Sequence, residues 1–412
     1  MKKEYTWNPI YNLVMKIKYD YINKFNDNII NFKVWIDKLN NKEYNNFFEC
    51  LQTNQKDNLL LIRYGLSEMQ SGMWDDTNSP YRECRSIVVD LKNEEIVVCP
   101  FRKFFNINET DENEIGRLIK EIKQSKTFEI TNKLDGSMQS ARWYDNKIMM
   151  FGSMALSKEE SFRLEEGITM LTDKHKSMIK DNPNLTFIFE YISLKDTHVV
   201  IYKKEQEGLY LIGIRDVYTG IECSYKDIKL FSDKYSVPMT NIENITLDEV
   251  LEQMKIVNGS DKEGWVLNID GRKVKCKCDD YVHLHRILDE FSSINTIIEN
   301  IVDDKFDDMK SKIPVAYRER VLLVANKVFN YKNKINKEIN YYFDIAPNKD
   351  NKKEFMIWVT NNCPKNIQGY IRNKWYGTEY NVLKTKHRNK RLNEMGIKDY
   401  SELFRGLEED KQ

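Results

Sequence analysis

The chain has 412 residues, enough at about 150 per domain for two or three domains rather than one small module. With 41% hydrophobic and 12% aromatic residues it can bury a sizeable core, which excludes disorder throughout. Its 64 Lys and Arg balance 64 Asp and Glu, so a globally basic nucleic-acid binder is excluded too, and any polyanion site has to be sought in local clusters.

The first fifty residues are rich in Lys, Asn and aromatics, and Ile29, Phe32, Val34, Trp35 and Leu39 fall at helical spacing, which predicts helices packed on the body that follows. Lys16 and Lys18 interrupt the N-terminal run before it reaches signal-peptide length, and no stretch approaches about 18 apolar residues, so no secretion signal and no membrane span are expected. From about Leu59 to Tyr281, short β-rich runs alternate with turn signals: 86–90, 94–101, 146–151, 185–193, 209–217, 264–270 and 273–278, with helices near 110–124, 157–181 and 247–256. After His285 the strand pattern stops and apolar residues recur at helical spacing. The expected organisation is an α+β domain over residues 1–285 and an all-α domain over 286–412. Seven cysteines without a C-x-x-C pair point to a reduced, cytoplasmic setting.

No G-x-x-x-x-G-K-[ST] phosphate loop, G-x-G-x-x-G turn or H-E-x-x-H helix occurs, and no two histidines have zinc-ligand spacing with cysteine partners. Four other elements carry chemistry. Lys133-Leu134-Asp135-Gly136-Ser137 places a lysine at a strand end before a carboxylate and a glycine turn. Phe189-Glu190-Tyr191 lies inside an apolar strand, Glu263-Gly264-Trp265-Val266 opens another, and Val274-Lys275-Cys276-Lys277 follows a turn at Asp270-Gly271. A lysine amine ordinarily titrates near about 10.4 and is nearly all protonated at neutral pH, so Lys133 needs cationic neighbours to act as a nucleophile. Lys275 and Lys277, two apart on a strand, share a face and can supply them, while Val274, Cys276 and Cys278 point into the core. Two readings stand for Glu190, a charge in an apolar run: a buried structural ion pair, or a ligand contact. Arg215, in an apolar strand, reads either as a surface charge or as a phosphate contact.

In this order the four elements resemble motifs I, III, IV and V of the covalent nucleotidyltransferases, the superfamily of polynucleotide ligases and mRNA capping enzymes. The flanking Glu83-Cys84-Arg85, Lys103-Phe104-Phe105-Asn106 and Asp280-Tyr281-Val282-His283-Leu284-His285 narrow the likeness to the RNA ligase 1 family of T-even bacteriophages, over roughly residues 60–290. The resemblance implies a nucleotidyltransferase domain with ATP-grasp-like antiparallel sheets and helices. It also implies an ATP-dependent RNA ligase that forms a lysyl-AMP at Lys133 and then an adenylylated RNA 5' end, in tRNA or RNA repair.

By the same likeness, Asp135 and Gly136 shape the site, and Lys275, Lys277 and Tyr281 belong to the catalytic set. Tyr281 reads equally as a core tyrosine. The nucleotide would be held by Tyr64, Arg85, Lys103, Phe105, Lys133, Glu190, Glu263, Gly264, Lys275 and Lys277. Lys103 would lie on phosphate or ribose and Phe105 would wall the pocket. Glu263 would bind Mg2+, with Mn2+ as a substitute, and Glu190 would touch the ribose or the metal; two carboxylates plus phosphate oxygens and water suit magnesium. The implied partners are ATP and single-stranded RNA ends, notably cleaved tRNA. A monomer working in the cytoplasm of a phage host is expected.

The family lysine before a Gly-Ser is replaced here, in Met150-Phe151-Gly152-Ser153, so one cationic contact is missing. A basic tract between 349 and 391 holds 11 Lys and Arg against 3 acids, with Trp358, Tyr370, Trp375, Tyr376 and Tyr380 interleaved. It reads either as a surface for RNA backbone and splayed bases or as a solvated helix face. Two rivals remain: a GTP-dependent capping-type guanylyltransferase, against which the missing OB-fold strand pattern speaks, and a catalytically idle RNA-binding relative, against which the intact charged motif positions speak.

Overall fold

In the computed structural model, residues 5–65, 73–74, 76–292, 294–303, 305–313 and 315–383 are described. The chain divides into two compact units, Met1–Val282 and His283–Gln412.

The first unit opens with three helices, α1 (Pro9–Phe25), α2 (Phe32–Leu39) and α3 (Lys42–Glu49). Each begins at an asparagine whose side chain accepts from backbone N–H groups of the first turn, and α1 adds Pro9 at a position where no amide is needed. Their buried faces, with Ile10, Val14, Ile17, Tyr21 and Trp35, form one core with the first sheet. Ile29, expected on a helix face, lies between helices and is 48% exposed.

The first sheet is antiparallel, in the order β1 (Leu51–Lys56), β2 (Leu59–Tyr64), β3 (Arg85–Asp90) and β4 (Glu95–Val98). Strand β1 escaped the sequence reading because LQTNQK is polar; it is an edge strand. Helix α4 (Ile115–Gln124) leads to β5 (Phe128–Lys133), β6 (Ser137–Tyr144) and β7 (Lys147–Phe151), and then to α5 (Phe162–Met170) and α6 (Asp173–Asp181). After β8 (Leu185–Ile192) and β9 (Gly208–Asp216) come α7 (Tyr225–Tyr235) and α8 (Leu247–Ile256). The boundaries of α8 are those expected from the sequence, and a Thr246–Glu249 capping box fixes its start. The unit's last strands are β10 (Gly264–Ile269) and β11 (Arg272–Lys277).

These strands make two further antiparallel sheets, β11-β10-β5 and β7-β6-β8-β9. Two hairpins use two-residue turns with positive φ at both positions, Asp145-Asn146 and the expected Asp270-Gly271. The step that matters for function is the passage from β5 to β6, where the chain leaves one sheet and enters the other within three residues, Leu134 to Gly136. Lys133 therefore stands at the end of one sheet, beside the other.

Helix α9 (Asp279–Ser292) begins in the first unit and ends in the second. The second unit continues with α10 (Ile294–Val302), α11 (Phe306–Lys312), α12 (Val315–Ile345), α13 (Lys352–Asn362) and α14 (Gln368–Trp375). Among its described residues there is no strand, and Val328, Ile339, Phe355, Val359 and Ile371 are buried. No helix among the described residues is long and apolar enough to cross a membrane.

Candidate active site

Strand register sets the centre of the site. Gly264 on β10 pairs with Lys133 on one side and with Lys277 on the other. The two lysines thus lie level across three strands with no side chain between them. A Cβ on Gly264 would sit 2.0 Å from the Cys276 carbonyl oxygen, and its φ of 146° is one that side-chain-bearing residues rarely adopt. Glu263, one residue earlier and 3% exposed, spans both amines: Oε2 accepts from Lys133 Nζ at 2.7 Å, and Oε1 lies 3.0 Å from Lys277 Nζ.

The turn after Lys133 is held from three directions. Asp135 Oδ2 accepts from the amides of Val199 and Val200, both at 2.8 Å, and Oδ1 accepts from the Tyr281 hydroxyl at 2.8 Å. The Asp135 amide donates to the Tyr202 hydroxyl, and the Gly136 amide donates to Glu190 Oε1 at 3.1 Å. Gly136 is needed for close approach: a Cβ there would lie 2.3 Å from the Tyr191 carbonyl oxygen on β8. The 199–200 segment is the backbone clamp on Asp135.

Lys133, Glu190, Lys275 and Lys277 line one pocket of about 110 Å³ together with Arg85 and Phe104. The Phe104 ring is flanked by two cations, the Arg85 guanidinium at 4.7 Å and Lys275 Nζ at 4.8 Å from its centroid. Lys275 is fixed by its backbone: its amide donates to the Phe105 carbonyl, and its carbonyl accepts from the Ile107 amide. Val274, Cys276 and Cys278 are buried on the opposite face, as the alternation required.

The electrostatics differ from the expectation. Burial alone would lower the Lys133 pKa, but Glu263, with Glu190 and Asp135 behind it, outweighs that and holds the amine above its ordinary value. Lys275 takes the opposite shift: burial, then repulsion from Arg85, Lys133, Lys103 and Lys277, pushes it well below its ordinary value. Two lysines near Lys133 do not suffice to depress it, because the Glu263 carboxylate, 2.7 Å from its amine, outweighs them. Glu190 is raised to about 7, chiefly by burial, which Lys133 offsets in part and Glu263 and Asp135 reinforce. Of its two readings, the buried structural ion pair fails: no cation lies within ion-pair distance of Glu190 among the described residues, and it faces the pocket.

Other sequence candidates fall around this centre. Tyr64 and Lys103 meet each other, hydroxyl to amine at 3.4 Å, and Lys103 also lies over the Tyr64 and Trp74 rings. Phe105 does not wall the Lys133 pocket; its ring packs by Trp74 and the Arg82 guanidinium and, with Lys103, faces a second cleft. The neighbouring Phe104 takes the role expected of it, since the segment is tied to β11 at Phe105 and Ile107 and residues on either side of a tether turn opposite ways. Arg215 is neither a surface charge nor a pocket phosphate contact: it is buried and grips both oxygens of Glu83, at 2.9 and 3.2 Å. Phe151 is fully buried among Leu61, Val88 and Val98, so this position holds core and not a lost cation site. The basic residues 384–391 lie outside the described residues.

Reasoning from sequence missed Phe104, Tyr202 and the 199–200 clamp. Only Phe104 left a trace there, as an aromatic inside a quoted motif. Among the described residues no cluster of three or more His, Cys, Asp or Glu could hold a metal ion alone. Glu190 and Glu263 fit a divalent cation only as a pair completed by phosphate oxygens and water. Glu190's raised pKa fits such a role, since a carboxyl facing a pocket without its own cation is one that a bound cation would ionise.

A strand-end lysine held beside a carboxylate, in a pocket lined with further cations, defines the class as a covalent nucleotidyltransferase site. Residues 83–281 match the family described as RNA ligase, of the T4 RNA ligase 1 type. A putative RNA ligase of Thermovibrio ammonificans is 26% identical over 307 residues, which are 70% of this chain and 75% of that protein. Among solved structures, an archaeal ATP-dependent RNA ligase is 12% identical with a TM-score of 0.44, covering 82% of this chain and 96% of its own. A Naegleria gruberi RNA ligase with pyrophosphate is 17% identical with a TM-score of 0.35; the alignment covers 45% of this chain and 57% of that one.

Proposed function

We propose that this protein is an ATP-dependent RNA ligase with Lys133 as its nucleophile. The observation that carries this reading is the charge imbalance around Lys133. Its amine and Lys277 share Glu263, while Arg85 and Lys275 face the same pocket with no carboxylate within ion-pair distance among the described residues. Such a surplus of cations suits a polyphosphate.

In the first step Lys133 Nζ attacks the α-phosphorus of ATP, the N–P bond forms, the bond to pyrophosphate breaks and the amine gives up its proton. Lys275 and Arg85 stabilise charge on the phosphates and Glu263 orients the amine. In the second step an RNA 5'-phosphate oxygen takes AMP from Lys133 and the N–P bond breaks. In the third, an RNA 3'-hydroxyl attacks that 5'-phosphorus, forms the phosphodiester and releases AMP. A magnesium or manganese ion held by Glu190 and Glu263 with phosphate oxygens would neutralise charge on the phosphates. Cleaved tRNA is the substrate on this reading, and the helical second unit, where Lys352 lies over the Tyr376 ring, would contribute to holding it.

Incubation with α-labelled ATP and magnesium should label the protein covalently. The label should be lost in acid, survive alkali and be absent from Lys133→Ala, as a phosphoramidate at that residue requires. Labelling by GTP alone would refute the assignment.

A further inference from the structure

A third cavity, of about 240 Å³, opens where strand β7 stops. The last pair between β6 and β7 is Ser140 with Phe151, so the β6 edge at Ser137, Met138 and Gln139 has no partner strand on that side. The cavity lies against this edge and against residues 152–155, Glu160, Ser161 and Arg163. Met138 is a wall of both this cavity and the Lys133 pocket. The two charged residues of the lining are already served: Arg163 Nε pairs with Asp196 at 2.7 Å, and Glu160 accepts from the Leu156 amide and from the Asn54 side chain. The rest of the lining is uncharged, and the Ser161 hydroxyl makes no hydrogen bond among the described residues.

An unpaired cation stands at the rim. Arg63 donates to the Ser153 hydroxyl at 3.2 Å and has no carboxylate within ion-pair distance among the described residues. A β-bulge puts it there. The register of β2 and β3 slips after Ile62, so Arg63 lies opposite Arg85, and the extra residue, Ser86, takes a φ of 66° that side-chain-bearing residues rarely adopt. The Ser86 hydroxyl donates to the Ser153 carbonyl at 2.7 Å, which fastens the cavity wall to the strand that carries Arg85. Strain of this kind persists where the surrounding structure fixes it, and it clusters at ligand sites.

We propose that this cavity seats the terminal nucleoside of the RNA strand that supplies the 3'-hydroxyl, with the phosphodiester before it on Arg63. The proposal rests on the RNA ligase reading and adds the acceptor end to it. A neutral lining with a free hydroxyl and an unpaired strand edge suits ribose hydroxyls and base edges, whereas a triphosphate tail or a 5'-phosphate requires cations inside the cavity. One unpaired guanidinium at the rim matches the single charge of a phosphodiester. The 3'-oxygen of a nucleoside seated here lies towards Met138 and the Lys133 pocket, where it attacks the 5'-phosphorus. The new P–O bond forms, AMP leaves with the electron pair of the broken one, and the hydroxyl proton passes to water.

The test uses the full chain and a short oligoribonucleotide with hydroxyls at both ends, which can act only as acceptor, sealed to a pre-adenylylated donor strand without ATP. Adduct formation from labelled ATP is measured in parallel, and binding of the acceptor alone is followed by anisotropy across salt concentrations. Arg63→Ala should raise the acceptor concentration for half-maximal sealing about tenfold and flatten the log–log salt slope of acceptor binding by about 0.7, the share of one phosphate contact. Arg63→Lys should recover much of both. Ser161→Leu, which fills the cavity at a partly exposed helix start without breaking a side-chain hydrogen bond, should raise the acceptor requirement as well. Donor and ATP requirements should stay unchanged in all three. A raised donor requirement with unaltered acceptor saturation would give the cavity to the 5'-phosphate strand, and a raised ATP requirement alone would give Arg63 to the triphosphate. Equal losses in every step would make the bulge a structural feature only. Each of these overturns the proposal, as does unaltered acceptor saturation throughout. Failure of the wild type to form the adduct would count against the ligase reading instead, since acceptor binding is read independently.

Discussion

Replacing Glu263 by glutamine tests the electrostatic core of the site. The carboxylate is 3% exposed and accepts from Lys133 at 2.7 Å, a contact that raises the amine pKa against the opposing effect of burial. A hydrogen bond between charged groups contributes about 1.5–3 kcal/mol, so its loss should lower the Lys133 pKa. Adduct formation needs the neutral amine, so the acidic limb of its rate profile should move to lower pH in Glu263→Gln. The amplitude should fall as well, because the amine loses its orienting partner. Single-turnover labelling with α-labelled ATP between about pH 5 and 10 separates the two effects. A limb that stays where it is in the wild type would show that the carboxylate does not set the charge state of Lys133, and the account of the site would fail.

Three further outcomes follow from packing. Gly136→Ala places a methyl 2.3 Å from the Tyr191 carbonyl oxygen and 2.8 Å from Ile192 Cδ1, so the turn must shift; a stability loss of about 1–3 kcal/mol in denaturant melts should accompany a fall in adduct formation. Phe151→Lys, which restores the family lysine, buries an unpaired charge among Leu61, Val88 and Val98 and should destabilise by more than about 4 kcal/mol without any gain in ligation, measured by thermal melts and sealing assays. Tyr281→Phe removes one of three hydrogen bonds to the Asp135 carboxylate, which should cost about 1.5–3 kcal/mol in melts while the Val199 and Val200 amides keep the turn closed enough for a slower adduct.

Legibility followed the range of the interactions. The β8, β10 and β11 runs were readable because short apolar β-rich runs bounded by turn signals are a local feature, and the Asp270-Gly271 turn because its backbone needs those residues. The helical character of the second unit's described residues was readable from apolar spacing alone. Strand β1 was not, since LQTNQK belongs to the sheet through its partner β2 and not through its own composition. In the site, Lys133, Glu190, Lys275 and Lys277 line one pocket, and Glu263 pairs with Lys133 and Lys277 beside it. Which lysine is depressed could not be read, because it depends on Glu263 lying level with two neighbouring strands, a matter of register. For the same reason Phe104 and Phe105 could not be told apart until the tether to β11 fixed which ring faces Lys133.

The strongest trade between stability and activity should lie at Glu190. Burial raises its carboxyl from 4.5 to about 7, so the folded chain holds the proton more tightly than the unfolded one does. A group with that shift contributes its full stability below the unfolded value and loses it as pH rises through the folded value. At pH 8 the wild type should therefore lack about 3 kcal/mol that it has at pH 4.5, all else equal. Glu190→Gln carries no ionisable carboxyl, so it should be more stable than the wild type at pH 8 and close to it near pH 5, with the difference growing between those limits. It keeps an oxygen that can accept from the Gly136 amide, so the turn at Asp135 should survive. Adduct formation should nevertheless fall at every pH, because the glutamine cannot supply a negative charge to a cation or to the nucleotide. Urea melts at stepped pH, paired with labelling, measure both quantities on the same samples. Equal stability of the two proteins at pH 8 would mean that Glu190 is already ionised and compensated in the folded chain, and that the pocket holds a positive charge near it strong enough to outweigh burial.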